Sequence, residues 1–164
     1  MNIRKPTDYT AMFATLDAAV AAQLPQMELY REIGRVVSGR AEKGAAVAAS
    51  EYLQATYPAA EGFSPRNVRR MRDFYRVYGD TPELLAAAMR LNWTQNVAIM
   101  EAGLTMDERC WYIRKAAESG LSKTELLRMI TSSAHLEIAL GENEDTCYTV
   151  ENDEFSEKNR YEEY

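Results

Sequence analysis

The positions of the residues that interrupt helices most constrain what this chain can fold into. Only five prolines and eight glycines occur in 164 residues, and most of them fall between segments whose apolar side chains recur at helical spacing. Alanine, leucine, methionine, glutamate and arginine are abundant, whereas runs of β-branched residues are nearly absent. This balance favours helix over strand, and the sequence therefore predicts an all-α fold.

Four helices are predicted in the first eighty residues. Pro25 ends the first helix, and Pro58 closes the third because the residue before a proline avoids the helical region. Ser64 is a favourable N-cap for the fourth helix, and Pro65 suits its first position. The predicted helices run from Thr7 or Asp8 to before Pro25, from after Pro25 to Ser38–Gly39, from Lys43 to about Tyr57, and from Pro65 to about Tyr78.

Shorter capped helices are predicted in the second half of the chain. They run from Thr81–Pro82 to Arg90, from Asn92 or Thr94 to Ala102, from Thr105 to Gly120, and from Ser122 to about Ser133. Helical periodicity fails after Gly141. We therefore predict a single helical domain over residues 1–141, with a helical C-terminal subdomain, and an extended or disordered acidic tail over residues 142–164. A lone strand over residues 146–150 is the alternative for part of that tail.

The charge is distributed unevenly. The whole chain has a net charge of −6, but residues 142–164 hold nine acidic side chains against Lys158 and Arg160, so residues 1–141 carry +1. Such an uneven distribution of charge indicates more about binding partners than the net charge of the whole chain does. The tail could fold onto a basic surface of the chain and compete with the ligand of that surface, it could mimic a phosphate backbone for some other basic partner, or it could simply keep the chain soluble.

The chain lacks the residue patterns of common enzymes and cofactor sites. His135 is the only histidine and is expected to be a helix cap or a surface residue, and Cys110 and Cys147 do not have metal-ligand spacing. There is no phosphate-binding loop of the G-x-x-x-x-G-K type. Neither a signal peptide nor an apolar segment long enough to span a membrane is visible. We expect a cytoplasmic protein that is not an enzyme, has no cofactor and makes no membrane contact.

The segment from Pro65 to Tyr78 concentrates arginine on one side of a predicted helix. At 100° per residue its five arginines occupy an arc of about 160°, and the large apolar residues occupy a separate arc. Guanidinium groups bind phosphate bidentately and can read guanine edges. Together with the preceding helix, from about Gly44 to Tyr57, the segment resembles a helix-turn-helix. The candidate DNA contacts are Ser64, Arg66, Asn67, Arg69, Arg70, Arg72 and Arg76. The alternative is a solvated surface face that is paired with acidic neighbours or with the tail.

Residues 62–75 are also similar to a known family signature, G-F-S-x-R-N-x-x-R-M-R-x-F-Y. The chain resembles the N-terminal domain of the YhcG-type PD-(D/E)XK nucleases, long catalogued as a domain of unknown function. Further blocks agree in order, so that the resemblance covers roughly residues 28–130. They are Leu29 to Gly34, Leu91 to Gln95, Arg109 to Tyr112 and Ala116 to Leu126.

The resemblance implies an all-helical, helix-turn-helix-like domain that brings a nuclease to DNA in mobile-element or defence systems. It also places Trp93 and Tyr112 at core positions, and the helical spacing of the tryptophans predicts that Trp111 lies in the core as well. The sequence departs from the family in having Gln95 where a histidine is usual and in a less basic block over residues 41–46. No lysine has an acidic residue two positions before it, so the (D/E)-x-K pair of the nuclease half is missing. The resemblance therefore indicates a stand-alone binding domain.

Two functions are consistent with these observations. The first is DNA binding without catalysis, as a regulator or as the targeting subunit of a mobile-element or defence system, with a nuclease or other protein partner. A homodimer on a two-fold site would suit such a domain. The alternative is a protein-interaction module, an adapter or inhibitor whose basic face or acidic tail binds a protein partner.

Overall fold

The computed structural model describes residues 7–139, and all regular structure within them is α-helical. These residues form two compact units that divide between Asp80 and Thr81. The first unit contains α1 (Thr10–Ala21), α2 (Gln26–Ser38), α3 (Ala45–Thr56) and α4 (Pro65–Tyr78). The second contains α5 (Pro82–Met89), α6 (Trp93–Glu101), α7 (Met106–Ser119), α8 (Lys123–Thr131) and α9 (Ala134–Ala139).

Helix α4 is the centre of the first unit. Helix α2 makes the most extensive contact with it and α3 the next, whereas α1 packs on α2 and α3. A close approach between α2 and α4 is possible because residue 34 is a glycine. A Cβ atom there would lie 2.1 Å from the carbonyl oxygen of Met71. The apolar face of α4 is thereby held against the core.

Helix α1 is joined to the rest of this unit by a shared carboxylate. Asp17 accepts hydrogen bonds from the hydroxyls of Tyr52 at 2.5 Å and Tyr57 at 2.7 Å. The ring of Phe13 stacks on Tyr52, with centroids 4.1 Å apart. The two tyrosine hydrogen bonds hold the pKa of Asp17 below its usual value. This contact couples α1 to α3 and to the start of the segment that leads into α4.

Side-chain caps begin most helices of the second unit. The Asn92 side chain accepts from the Gln95 backbone N–H, and the Gln95 side chain accepts from that of Asn92, which is a reciprocal capping box. Gln95 also donates to the Leu121 carbonyl oxygen and so ties α6 to the start of α8. Ser122 and Glu125 form a second capping box. The residue that replaces the family's histidine therefore has a structural role.

The predicted all-α fold is confirmed, and so are the caps at Ser64, Thr105 and Ser122. Asn92, not Thr94, caps α6. Trp93 and Tyr112 are buried as expected. Helix α1 begins later than predicted, at Thr10, and its N-cap residue is Tyr9, without a side-chain cap. The Asp8 carboxylate accepts from the Thr10 backbone N–H at 2.9 Å.

Three expectations about the second unit were wrong. The sequence pattern did not predict α9, which follows a turn at Ser133 with a φ of 54°. His135, taken as a helix cap or surface residue, is buried and 5% exposed. Its Nδ1 lies 2.8 Å from the Tyr112 hydroxyl. Trp111, expected in the core, is only half-buried.

The acidic tail of residues 142–164, including the alternative strand over 146–150, lies outside the described residues. In the described part of the chain, no helix is long and apolar enough to cross a membrane.

Candidate nucleic-acid interface

Helix α4 has two faces of different chemistry. Its apolar face is fully buried and consists of Val68, Met71, Phe74 and Tyr78. The five arginines lie away from this face and define what we call the arginine edge: Arg66, Arg69, Arg70, Arg72 and Arg76. With a rise of about 1.5 Å per residue, the edge extends about 15 Å along the helix. The separation of faces predicted from the sequence is therefore present in the fold.

The exposure of the arginine edge varies along its length. Arg66, Arg69 and Arg76 are exposed, whereas Arg70 and Arg72 are half-buried. Within residues 7–139, neither Arg66 nor Arg69 takes part in a hydrogen bond or ion pair. These two guanidinium groups are thus available to an external anion without breaking a contact in the described fold.

Arg72 and Arg76 are held by groups of the protein. Arg72 forms an ion pair with Asp73, whose Oδ1 lies 3.0 Å from the guanidinium NH2. The Arg76 guanidinium donates to the Arg40 carbonyl oxygen at 3.3 Å. Arg40 itself pairs with Glu42 and lies over the ring of Tyr9, 4.9 Å from its centroid. The arginine edge therefore has an open N-terminal part and a more constrained C-terminal part.

The start of α4 is fixed by side chains on both sides of the helix boundary. The exposed Ser64 accepts from the Asn67 backbone N–H at 3.2 Å, as an N-cap does. The side-chain amide of Asn67 donates to the Gly62 carbonyl oxygen at 2.7 Å and also donates to the Tyr30 hydroxyl. Asn67 was predicted as a DNA contact, and the structure shows its amide turned into the fold to hold this segment.

The segment that joins α3 to α4, residues 57–64, is also anchored to α3. The Ser50 hydroxyl donates to the Phe63 carbonyl oxygen at 2.6 Å, and the Gln54 amide donates to the same oxygen at 2.9 Å. Gly62 has a φ of +91°, and a Cβ atom there would overlap the Tyr30 hydroxyl. With eight residues, this connection is longer than the three or four of a typical helix-turn-helix.

Sequence reasoning did not identify Tyr30, Ser50 and Gln54 as supports of the site. Burial raises the pKa of Tyr30, while the hydrogen bonds that its hydroxyl accepts from Gln26 and Asn67 act in the opposite direction. The only sequence signal for this arrangement is the Gly62–Phe63 pair that precedes Ser64 in the family signature. Its partners on α2 and α3 are distant in sequence.

The arginine edge has the donor groups that anion binding requires. Arginine side chains present several N–H donors in a planar fork that matches phosphate oxygens. Among residues 7–139, no group of three or more histidine, cysteine or acidic side chains is placed to hold a metal ion. The site therefore offers positive charge on a rigid helix whose N-terminal end is firmly held.

Comparison with known proteins gives one match, to a family. The model of the DUF1016 N-terminal domain matches residues 12–137, which confirms the resemblance derived from the sequence blocks. No curated protein and no solved structure matches the chain.

Proposed function

The chain belongs to the DUF1016 N-terminal domain family, and we propose that it binds double-stranded DNA through the arginine edge of α4. The observation that carries this proposal is the open part of that edge, where Arg66 and Arg69 are exposed and take part in no hydrogen bond or ion pair within the described residues. Guanidinium groups that have no ion pair, on a helix whose start is fixed, can bind phosphate without the loss of an existing contact, so that the main cost is the conformational entropy of each immobilised side chain, about 0.5–1.5 kcal/mol.

The net charge of −6 does not argue against this function. Electrostatic attraction to DNA depends on the local distribution of charge, and exposed charges further apart than about 8–10 Å are largely screened at physiological salt. Along α4 the only acidic residue is Asp73, which Arg72 engages. The surface that would meet the duplex is therefore locally positive.

In this proposal the chain binds without cutting. It acts as a regulator or as the targeting subunit of a mobile-element or defence system, and it works with a nuclease or another protein partner. Two copies on a two-fold site would double the number of arginine edges that meet the duplex.

The test is a titration of the full-length chain with a duplex at several salt concentrations. Because phosphate contacts release counterions, affinity should fall steeply as salt increases. Changing Arg69 and Arg76 to alanine should weaken binding by about tenfold or more, and it should make the salt dependence shallower by roughly one phosphate contact or more.

The matched control is the double variant Arg90→Ala with Arg128→Ala. Both residues are exposed arginines of the second unit, so this variant removes the same total charge but leaves every arginine of α4 in place. It should bind nearly as well as the unchanged chain. Equal losses in the two variants would show that overall charge, and not the arginine edge, governs binding.

The same titration distinguishes DNA binding from the alternative function, protein interaction. A protein-interaction module would show no retention of duplex at moderate salt, and it would form a stable complex with a protein partner that the Arg69 and Arg76 substitutions disrupt. That result would exclude DNA binding as the function of the arginine edge.

A further inference from the structure

We propose that Arg66 and Arg69 read guanine bases in the major groove, whereas Arg72 and Arg76 are positioning residues that contact the phosphate backbone. This inference rests on the proposed DNA binding and adds a division of labour within the arginine edge. It also specifies the ligand, because the recognised duplex must present guanine at the position of the helix N-terminus.

The first argument is that these four arginine side chains differ in their hydrogen bonds and ion pairs with the rest of the protein. Arg72 is paired with Asp73, and Arg76 is hydrogen-bonded to the Arg40 carbonyl oxygen. These contacts restrict both guanidinium groups to positions close to the protein surface. Arg66 and Arg69 have no such restraint within residues 7–139. Only these two can extend fully away from α4 without losing a contact in the described fold.

The second argument is position along the helix. Pro65 is the first residue of α4, so that Arg66 and Arg69 lie in its first two turns, about 60° apart around the axis and about 4.5 Å apart along it. When a recognition helix enters the major groove, its N-terminal residues contact the base edges. The rise between the two arginines exceeds the 3.4 Å spacing of neighbouring base pairs by about 1 Å, a difference that two long side chains can span.

The third argument is the rigidity of the backbone that carries them. Ser64 caps α4, the Asn67 amide holds Gly62, and the Phe63 carbonyl oxygen accepts from both Ser50 and Gln54. The N-terminal end of α4 is therefore fastened to α2 and α3 by side chains. Recognition of a base requires a backbone that is held in one position, because the two hydrogen bonds of a bidentate contact depend on the angle at which the guanidinium approaches as well as on its charge.

The chemistry selects guanine among the four bases. A guanidinium fork can donate two hydrogen bonds at once to the O6 and N7 atoms of guanine. Adenine presents one acceptor and one donor at the corresponding positions, so that the second hydrogen bond of the fork is lost. Contacts to phosphate carry no such discrimination, because every nucleotide presents the same oxygens.

The experiment begins with selection from a pool of random-sequence duplexes by the full-length chain. The enriched duplex should contain guanine. It is then synthesised with guanine throughout or with 7-deazaguanine at one guanine position at a time; this base lacks the N7 acceptor but still pairs with cytosine. The unchanged chain should bind the 7-deazaguanine duplex about tenfold more weakly, as expected for loss of one arm of a bidentate contact.

The variants assign the effect to individual arginines. In each of the variants Arg66→Ala and Arg69→Ala, the effect of 7-deazaguanine should shrink towards onefold at the guanine that the missing arginine reads and persist at the other. In Arg72→Ala and Arg76→Ala, both duplexes should bind more weakly by the same factor, so that the tenfold difference is retained. Circular dichroism of each variant checks that the helices remain folded.

The outcomes distinguish this inference from the proposed function. Salt-sensitive binding with no enrichment, with an enriched duplex that lacks guanine, or with no effect of 7-deazaguanine would overturn base reading and leave DNA binding intact. Loss of discrimination in Arg76→Ala but not in Arg66→Ala or Arg69→Ala would overturn the assignment of roles. Absence of any duplex binding would overturn the proposed function itself.

Discussion

At the scale of single residues, Gly34 determines how closely α2 can approach α4. A Cβ atom at this position would lie 2.1 Å from the Met71 carbonyl oxygen and 2.7 Å from its carbonyl carbon. Alanine gains about 1 kcal/mol over glycine in a helix, but overlap with backbone atoms costs up to about 3 kcal/mol. We therefore expect Gly34→Ala to lower the free energy of unfolding by about 2 kcal/mol, as measured by denaturant titration.

Gly39, at the end of the same helix, provides the control. The nearest atoms to a Cβ there would be carbonyl oxygens at 3.5 and 3.7 Å, which is ordinary contact, and its φ of −69° suits any residue. Gly39→Ala should leave stability unchanged or raise it by about 0.5–1 kcal/mol. If Gly34→Ala were as stable as Gly39→Ala, the close packing of α2 on α4 would be contradicted.

At the scale of elements, His135 joins α9 to the other helices of the second unit. The ring lies 2.8 Å from the Tyr112 hydroxyl on α7, and its Nε2 lies 3.8 Å from a carboxylate oxygen of Glu108. Replacing it with alanine removes a buried hydrogen bond and leaves a cavity. We expect His135→Ala to lower the free energy of unfolding by about 2–3 kcal/mol and to increase hydrogen exchange in α9.

Leu136 serves as the matched control because it is the next residue of α9 and is 38% exposed. Leu136→Ala should change stability by less than about 1 kcal/mol. A larger loss in Leu136→Ala than in His135→Ala would mean that α9 is held by another contact.

These elements show which features of the fold could be predicted from the sequence. Caps such as Ser64 and Ser122 were predictable because the group that each one satisfies lies three residues away. The role of His135 was not, because its partner Tyr112 lies 23 residues earlier in the chain. The angular positions of the residues around α4 predicted that its arginines and its large apolar residues lie on different faces. They could not predict that Arg76 is hydrogen-bonded and Arg66 is not, because the carbonyl group that holds Arg76 belongs to the segment after α2.

At the scale of the whole molecule, charge is separated along the chain. The nine acidic residues of 142–164, with Lys158 and Arg160, give that segment a charge of −7, whereas the arginine edge is positive. Both belong to one chain, so their mutual attraction acts at the high effective concentration of an intramolecular contact. A segment of this charge would compete with phosphate for the same guanidinium groups.

We therefore expect the full-length variant whose nine acidic residues in 142–164 are changed to the corresponding amides to bind duplex more tightly than the unchanged chain. The gain should be about tenfold at low salt and should shrink below about twofold near 0.3 M, because screening weakens the competing attraction. Backbone amide shifts of α4, compared between the two full-length chains without DNA, report the contact directly. Equal affinities at low salt together with unchanged α4 shifts would contradict competition and assign the acidic segment to solubility, the other reading of its charge.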